Sequence, residues 1–213
     1  MPKVRSKGFS NPAQTWDGRF ATADYIFGKE PNVWLAQHSD LLIPGGSALA
    51  VADGEGRNSV WLAQRGMQVD AFDISSVGVN KARQLASAVG VDVNFSVSDC
   101  DDWHWPSDHY DVVAAIFIQF ADPLTRTRLF NRMVESLKPG GILLLQGYTP
   151  KQLDYKTGGP PLVDHLYTEE LLRAEFSGMD ILELKSYEDV LREGTQHDGQ
   201  SALIGLVAKK RAA

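Results

Sequence analysis

Ala48-Leu49-Ala50-Val51-Ala52-Asp53-Gly54-Glu55-Gly56-Arg57-Asn58-Ser59-Val60-Trp61-Leu62-Ala63 is the stretch from which the fold can be read. Ala48 to Ala52 form an unbroken small or apolar run, as expected of a parallel strand covered by helices on both faces. Gly54 and Gly56 lack a Cβ, so the backbone there can turn tightly and let a ligand approach. Asn58 or Ser59 then opens an amphipathic helix whose Val60, Trp61, Leu62 and Ala63 can face a sheet. Strand, glycine turn and helix N-terminus together make a loop of the kind that binds nucleotides.

A lone Gly-x-Gly is as often a plain structural turn. The sequel favours the functional reading. Val69 to Phe72 reads as a second short strand closing on Asp73, 17 residues beyond Gly56. An acid about 20 residues past the glycines, at the end of the second strand, is where a ribose diol is hydrogen-bonded.

The bulk numbers set the class. The 213 residues fit a single domain spanning 1–213, with 43% hydrophobic and 23% charged residues, ordinary values for a soluble globular protein. No stretch approaches a membrane span of about 18 apolar residues, and Met-Pro-Lys-Val-Arg lacks an apolar signal core, so the expected compartment is cytoplasmic. A single cysteine, Cys100, excludes an internal disulfide. A net charge of −6 argues against nucleic acid, whose phosphates are held mainly by Lys and Arg. Neither nucleic acid nor membrane is expected as a partner, and the oligomeric state is open. A small molecule is the expected partner.

Around the opening stretch, the pattern alternates. Residues 1 to about 14 read as a flexible leader, and residues 1–32 as leader and possible lid, because Trp16, Phe20, Tyr25 and Phe27 are too aromatic for a solvated tail. The competing reading is that these rings only pin the N-terminus to the body. Val33 to Leu42 reads as a helix capped by Asn32. Ser75 or Ser76 opens another, closed by Gly90. Further strands are expected at 93–97, 111–117 and 142–145, with a helix at 123–137 begun by Pro123. Five strand–helix alternations imply right-handed crossovers and a parallel sheet. After a Gly- and Pro-rich loop at 148–161, a helix capped at Thr168 and two strands, 179–187 and 202–208, complete the chain. With no helix between them, the last two strands should form an antiparallel edge hairpin.

The glycine loop Ala52 to Asn58, Asp73, Ser98-Asp99-Cys100 and Leu137-Lys138-Pro139-Gly140-Gly141 together resemble the class I S-adenosylmethionine-dependent methyltransferases. The early Trp16-Asp17, Tyr25, Phe27-Gly28 and Pro31-Asn32 look like the small bacterial group around the tellurite-resistance methyltransferases. The resemblance implies a Rossmann-like α/β sandwich: a seven-stranded, mostly parallel sheet with an antiparallel edge hairpin. It implies S-adenosyl-L-methionine as cofactor and a small-molecule methyl acceptor, such as a thiol or chalcogen species. It also implies roles. Ala52, Asp53, Gly54 and Gly56 would run beside the methionyl part, Asn58 would be a further cofactor contact, and Asp73 would take the ribose hydroxyls. Ile74 would pack on adenine, Asp99 or Cys100 would meet its amino group, and Ile116 and Gln119 would lie below the methyl. Two positions depart from the pattern, Ala50 for an acid and Ala52 for a glycine.

A soft anionic acceptor needs no base; an oxygen or nitrogen acceptor can use one. His197 and His165 are the candidates, because imidazole titrates near neutrality, although an ordinary hydrogen-bonded histidine is the commoner case. Tyr25, Phe117 or Tyr148 could face a sulfonium. Arg19, or Arg192, could hold a carboxylate. Asp99, Asp101, Asp102 and His104 lack a convergent ligand set, so no metal is expected. Two alternatives stay open: a nicotinamide-dependent oxidoreductase, disfavoured by the missing third glycine, and a cofactor-binding protein without turnover, suggested by Ala50 and Ala52.

Overall fold

The structure is a computed structural model and describes residues 11–212. The chain runs α1 (Pro12–Phe20), α2 (Val33–Gln37), a 3-10 turn (Ser39–Leu41), β1 (Ser47–Val51), α3 (Arg57–Gln64), β2 (Gln68–Asp73), α4 (Ser76–Val89), β3 (Asn94–Val97) and β4 (Tyr110–Ile116). Then follow α5 (Pro123–Ser136), β5 (Leu137–Tyr148), α6 (Gln152–Tyr155), a 3-10 turn (Val163–His165), α7 (Glu169–Glu175), β6 (Met179–Glu193) and β7 (His197–Lys210). The sheet order is β3-β2-β1-β4-β5-β7-β6. The first five strands pair in parallel and β7 is antiparallel to both neighbours. This is the expected α/β architecture with its antiparallel edge. Strand order reverses between β1 and β4, and in such sheets the crevice at that point, beyond the strands' carboxyl ends, holds ligands.

Side-chain alternation along the strands divides the core. Leu49 and Val51 of β1, Leu143 and Leu145 of β5, and Leu206 of β7 pack with Leu129, Phe130 and Met133 of α5 and with Phe176. Their neighbours Ala48, Val112, Leu144 and Val207 face the other layer, Trp34 and Leu35 of α2 with Trp61 and Leu62 of α3. A Cβ on Gly205 would come within 2.5 Å of the Trp34 ring, so glycine is what lets that indole lie against β7.

Local expectations and structure agree at several caps. Ser75 accepts from Gly78 N at 3.0 Å, Asn32 from Leu35 N at 3.2 Å and Thr168 from Leu171 N at 3.2 Å, each satisfying an amide the first turn leaves unpaired. Elsewhere the structure corrects the sequence reading. Helix α1 begins at Pro12, capped by Asn11, so residues 12–14 of the expected leader are helical; residues 1–10 lie outside the described residues. The 33–42 helix splits into α2 and a 3-10 turn. Leu137, expected as the last residue of the 123–137 helix, and Lys138 to Gly141, which follow it before the expected 142–145 strand, belong to β5 across a register shift. The closing strands continue through 188–193 and 197–200 to a tight turn at 194–196, which carries His197 to the top of the sheet. Among the described residues no helix is long and apolar enough to cross a membrane.

Candidate functional site

A cleft of about 270 Å3 opens at the carboxyl ends of β1, β2 and β4, close to the lower end for small-molecule sites. Its floor is the glycine loop. Ala52 takes φ 49° and Gly54 φ 63°, so alanine stands where the backbone is left-handed and glycine is the strain-free residue. Gly56, φ 91°, does a different job from the one expected of it. A Cβ there would lie 2.6 Å from the Cβ of Ala82, so Gly56 lets α3 pack on α4, and it does not line the cleft. It also caps α3, which begins at Arg57, one residue before the earlier of the two expected openings, with no side-chain bond. The capping acceptor is Asp53, whose Oδ1 accepts from Ser59 N at 3.3 Å and whose Oδ2 accepts from the Ser59 hydroxyl.

Asp73 ends β2 with its carboxylate in the cleft. Oδ2 accepts from Gly54 N at 2.9 Å and Oδ1 from Ser75 N at 2.8 Å. Two amide donors leave further lone pairs for ligand hydroxyls. Burial pushes Asp73 up to about 6 and Asp53 up to about 7; the amide and Ser59 hydrogen bonds only partly counter it.

The cover comes from α1. Asp17 accepts from the Ser75 hydroxyl at 2.6 Å and from Val77 N at 3.1 Å, tying α1 to the start of α4. Ser75's hydrogen bond lowers Asp17's pKa. Trp16, Arg19 and Phe20 consequently line the cleft, with Trp16 stacked on Phe20 at 5.4 Å and Arg19 over Trp16 at 4.9 Å. Residues 20–28 are clasped from below. Lys81 Nζ donates to the carbonyls of Phe20, Thr22 and Asp24 and pairs with buried Glu55, whose other oxygen accepts from Ile26 N at 2.8 Å. Tyr25 belongs to this clasp. Its hydroxyl donates to Lys81 O at 3.0 Å, away from the cleft, so the structure does not bring it to the reacting region.

The far end of the cleft is aromatic. The His197 ring lies 4.6 Å from Phe27, 4.4 Å from Phe117 and 5.7 Å from Tyr148. Phe117 holds φ 54°, an outlier for a bulky residue, pinned by its N–H donating to Gln146 O at 2.8 Å. Gly158, Gly159, Pro160 and Pro161 roof this end, and the Tyr148 hydroxyl is buried without a partner beside Gly158.

Behind His197 sits a closed charge pair. Arg57 donates to Glu193 Oε2 at 2.8 Å, both side chains 7% exposed, and Glu193 Oε1 accepts from Asn32 Nδ2 at 3.0 Å. His197 Nδ1 lies 3.7 Å from Glu193 Oε2 and is buried without a hydrogen-bond partner. For Glu193, burial is outweighed by His197 and the Arg57 guanidinium, which bring it down to about 2. Burial lowers His197, keeping it neutral. The carboxylate on the Nδ1 side favours the proton there, leaving Nε2 as the acceptor.

The structure thus gathers Ala52, Asp53, Gly54, Asn58, Asp73, Ile116, Gln119, Arg19 and His197 around one cleft. Ile74, Asp99, Cys100 and His165 do not line it. Asp99 Oδ1 is held by Asp101 N and Asp102 N, and Cys100 packs on the core, its thiol pushed up by burial. His165 turns Nδ1 to Gln119 O at 3.0 Å. Exposed Arg192 is outside the cleft. The sequence reading took the 148–161 loop as a pocket wall and Phe27 as part of a lid, and Phe27 and Gly158 to Pro161 do line the cleft; it missed Arg57 as a wall residue and Glu193 as its buried partner, and no local signal marks either. Among the described residues, no three His, Cys, Asp or Glu side chains converge as metal ligands would.

Residues 48–141 match the family described as a methyltransferase domain. Phosphoethanolamine N-methyltransferase 3 of Arabidopsis thaliana is 26% identical over 161 residues, 71% of this chain and 29% of that protein. The chain spans less than half the length of the curated relatives it matches. Among solved structures, TehB from Haemophilus influenzae superposes with TM-score 0.70 at 15% identity, over 93% of this chain and 67% of that one. Magnesium protoporphyrin IX methyltransferase from Synechocystis, described with bound SAH, superposes with TM-score 0.62 at 23% identity, over 93% and 82%. These likenesses show the fold.

Proposed function

We propose that this chain, which carries a class I methyltransferase domain, transfers a methyl group from S-adenosyl-L-methionine to a small-molecule thiol or related chalcogen nucleophile. The observation that carries the reading is the Asp73 carboxylate facing a cleft floored by Ala52 to Gly54. The residues present fit the cofactor. Asp73 can accept from a ribose diol, Arg19 offers a guanidinium for the methionyl carboxylate, and the rings at the far end suit a sulfonium. When bound, the cofactor supplies a methyl group on a positively charged sulfur with a neutral thioether as leaving group.

The chain's own work is positioning and drying the site. Phe20, packed on Gly54, and the Trp16–Phe20–Phe27 rings exclude water from the approach line, which favours charge-dispersing displacement. His197 Nε2 takes the thiol proton as the sulfur–methyl bond forms and the old one breaks, then releases it to solvent. Glu193 is a positioning residue, biasing the His197 tautomer. A phosphate-bearing amine acceptor of the kind named by the plant relatives is disfavoured, because the Arg57 guanidinium at this end is already paired with Glu193.

The test is titration calorimetry with S-adenosylhomocysteine (SAH) and with NAD, followed by labelled S-adenosylmethionine turnover against thiols, selenite and amines. Binding of SAH and labelled thioether product support the reading. Binding of NAD alone would move the chain to the oxidoreductases, and SAH binding with no methylated product from any acceptor would leave a cofactor-binding protein.

A further inference from the structure

We infer that the acceptor is a thiol carried on a flat apolar ring, and that the walls of Phe27, Phe117 and Tyr148 select it over small hydrophilic thiols and chalcogen oxyanions. This rests on the proposed methyl transfer and says which acceptor that site takes.

Three observations meet here. First, the acceptor end is a three-sided aromatic slot around His197: Phe27 at 4.6 Å and Phe117 at 4.4 Å from the imidazole, and Phe117 4.7 Å from Tyr148. At these spacings the rings are in contact with one another, so an entering ring meets the sides they turn to the cleft. Second, Phe117 is held at φ 54°. A left-handed phenylalanine is costly and persists only where its surroundings impose it, and here it sets a ring on the end of β4, between Tyr148 and His197. Third, this end has no spare charge. Its guanidinium, Arg57, is consumed by Glu193, and His197 is kept neutral by burial. An oxyanion entering would lose its hydration without gaining a cation, which is costly. Phe120, 38% exposed, lines the mouth with Pro160 and Pro161, so apolar surface continues outward from the slot to solvent.

A ring in the slot places its sulfur beside His197. The S–H proton passes to Nε2, the sulfur–methyl bond forms as the sulfonium–methyl bond breaks, and an aryl or arylmethyl thioether leaves with the demethylated cofactor. The apolar body provides the binding and the imidazole the proton acceptor.

The probes are benzyl mercaptan and 2-mercaptoethanol, thiols of similar acidity and different body, with sodium selenite as the oxyanion. Dissociation constants are measured on the full-length protein saturated with SAH, alongside kcat/KM with S-adenosylmethionine. Benzyl mercaptan is expected to bind and react at least about tenfold better than 2-mercaptoethanol, with selenite poorest. Phe117→Gly, which relieves the positive φ but loses the ring's packing on Tyr148 and His197, should lower the melting temperature while leaving SAH binding in place, and should cut the benzyl preference about tenfold. Equal treatment of the two thiols, preference for selenite, or an unchanged preference in Phe117→Gly overturns the inference. Failure of SAH to bind the wild type is a different result, which strikes the methyl-transfer reading itself.

Discussion

Cofactor binding should release a proton, and Asp73 should be its source. Burial raises this carboxyl from an ordinary 3.8 to about 6, so the folded protein holds the proton more tightly than the unfolded chain does. Between roughly pH 4 and 6, raising the pH therefore lowers the stability of the ligand-free protein. The shift of about 2 units corresponds to roughly 3 kcal/mol, fully expressed above pH 6 and absent below pH 4. A ribose diol donating to the carboxylate reverses the balance, because hydrogen bonds to the charged form favour it. Affinity for SAH should then improve by up to about tenfold per unit from pH 5 to 6 and level off near 7. At pH 5.5, calorimetry in buffers of contrasting ionisation heat should show about three-quarters of a proton released per SAH bound. Asp73→Asn should abolish both the release and the pH dependence, and weaken binding at neutral pH. A wild type that binds SAH equally from pH 5 to 7 with no proton exchange would refute the assignment of Asp73 to the diol.

Two further predictions probe the frame that holds the cleft. Gly56→Ala combines φ 91° with a Cβ 2.6 Å from Ala82 and should cost about 2–4 kcal/mol in chemical denaturation. Gly90→Ala, at φ 70° with open space around it, should cost only about 1 kcal/mol; equal losses at the two sites would show that helix contact is not what glycine serves at 56. Lys81→Met strands Glu55, 3% exposed, and should cost about 3–5 kcal/mol. Its amide exchange should speed up most across residues 20–28, and an unchanged rate there would mean the clasp does not hold the cover.

The layered sheet was legible because its evidence is local. Apolar runs of strand length, the caps at Asn32, Ser75 and Thr168, and the glycine bend before Arg57 each act within a few residues, and five alternations leave few topologies. Asp73 was legible for the same reason: it ends a strand at a set distance from the loop. Where readings failed, a distant partner had changed the role. Tyr25 looks like a pocket ring until Lys81 O takes its hydroxyl. His165 looks like a base until Gln119 O takes its Nδ1. Gly56 looks like a ligand contact until Ala82 fills the space above it.

What the sequence determined by itself was the architecture and the end of the cleft built from the glycine loop and Asp73, since strand periodicity, caps and glycine turns are short-range. Tertiary structure alone decided the acceptor end. Phe27, Phe117, Tyr148 and His197 meet because the cover folds back over the sheet and the last hairpin runs past its expected ends. A contact between residues 170 positions apart, such as Phe27 and His197, exists only once the sheet has closed the distance. The left-handed Phe117 is equally invisible in advance, because its strain is sustained by neighbours and not by its own preference.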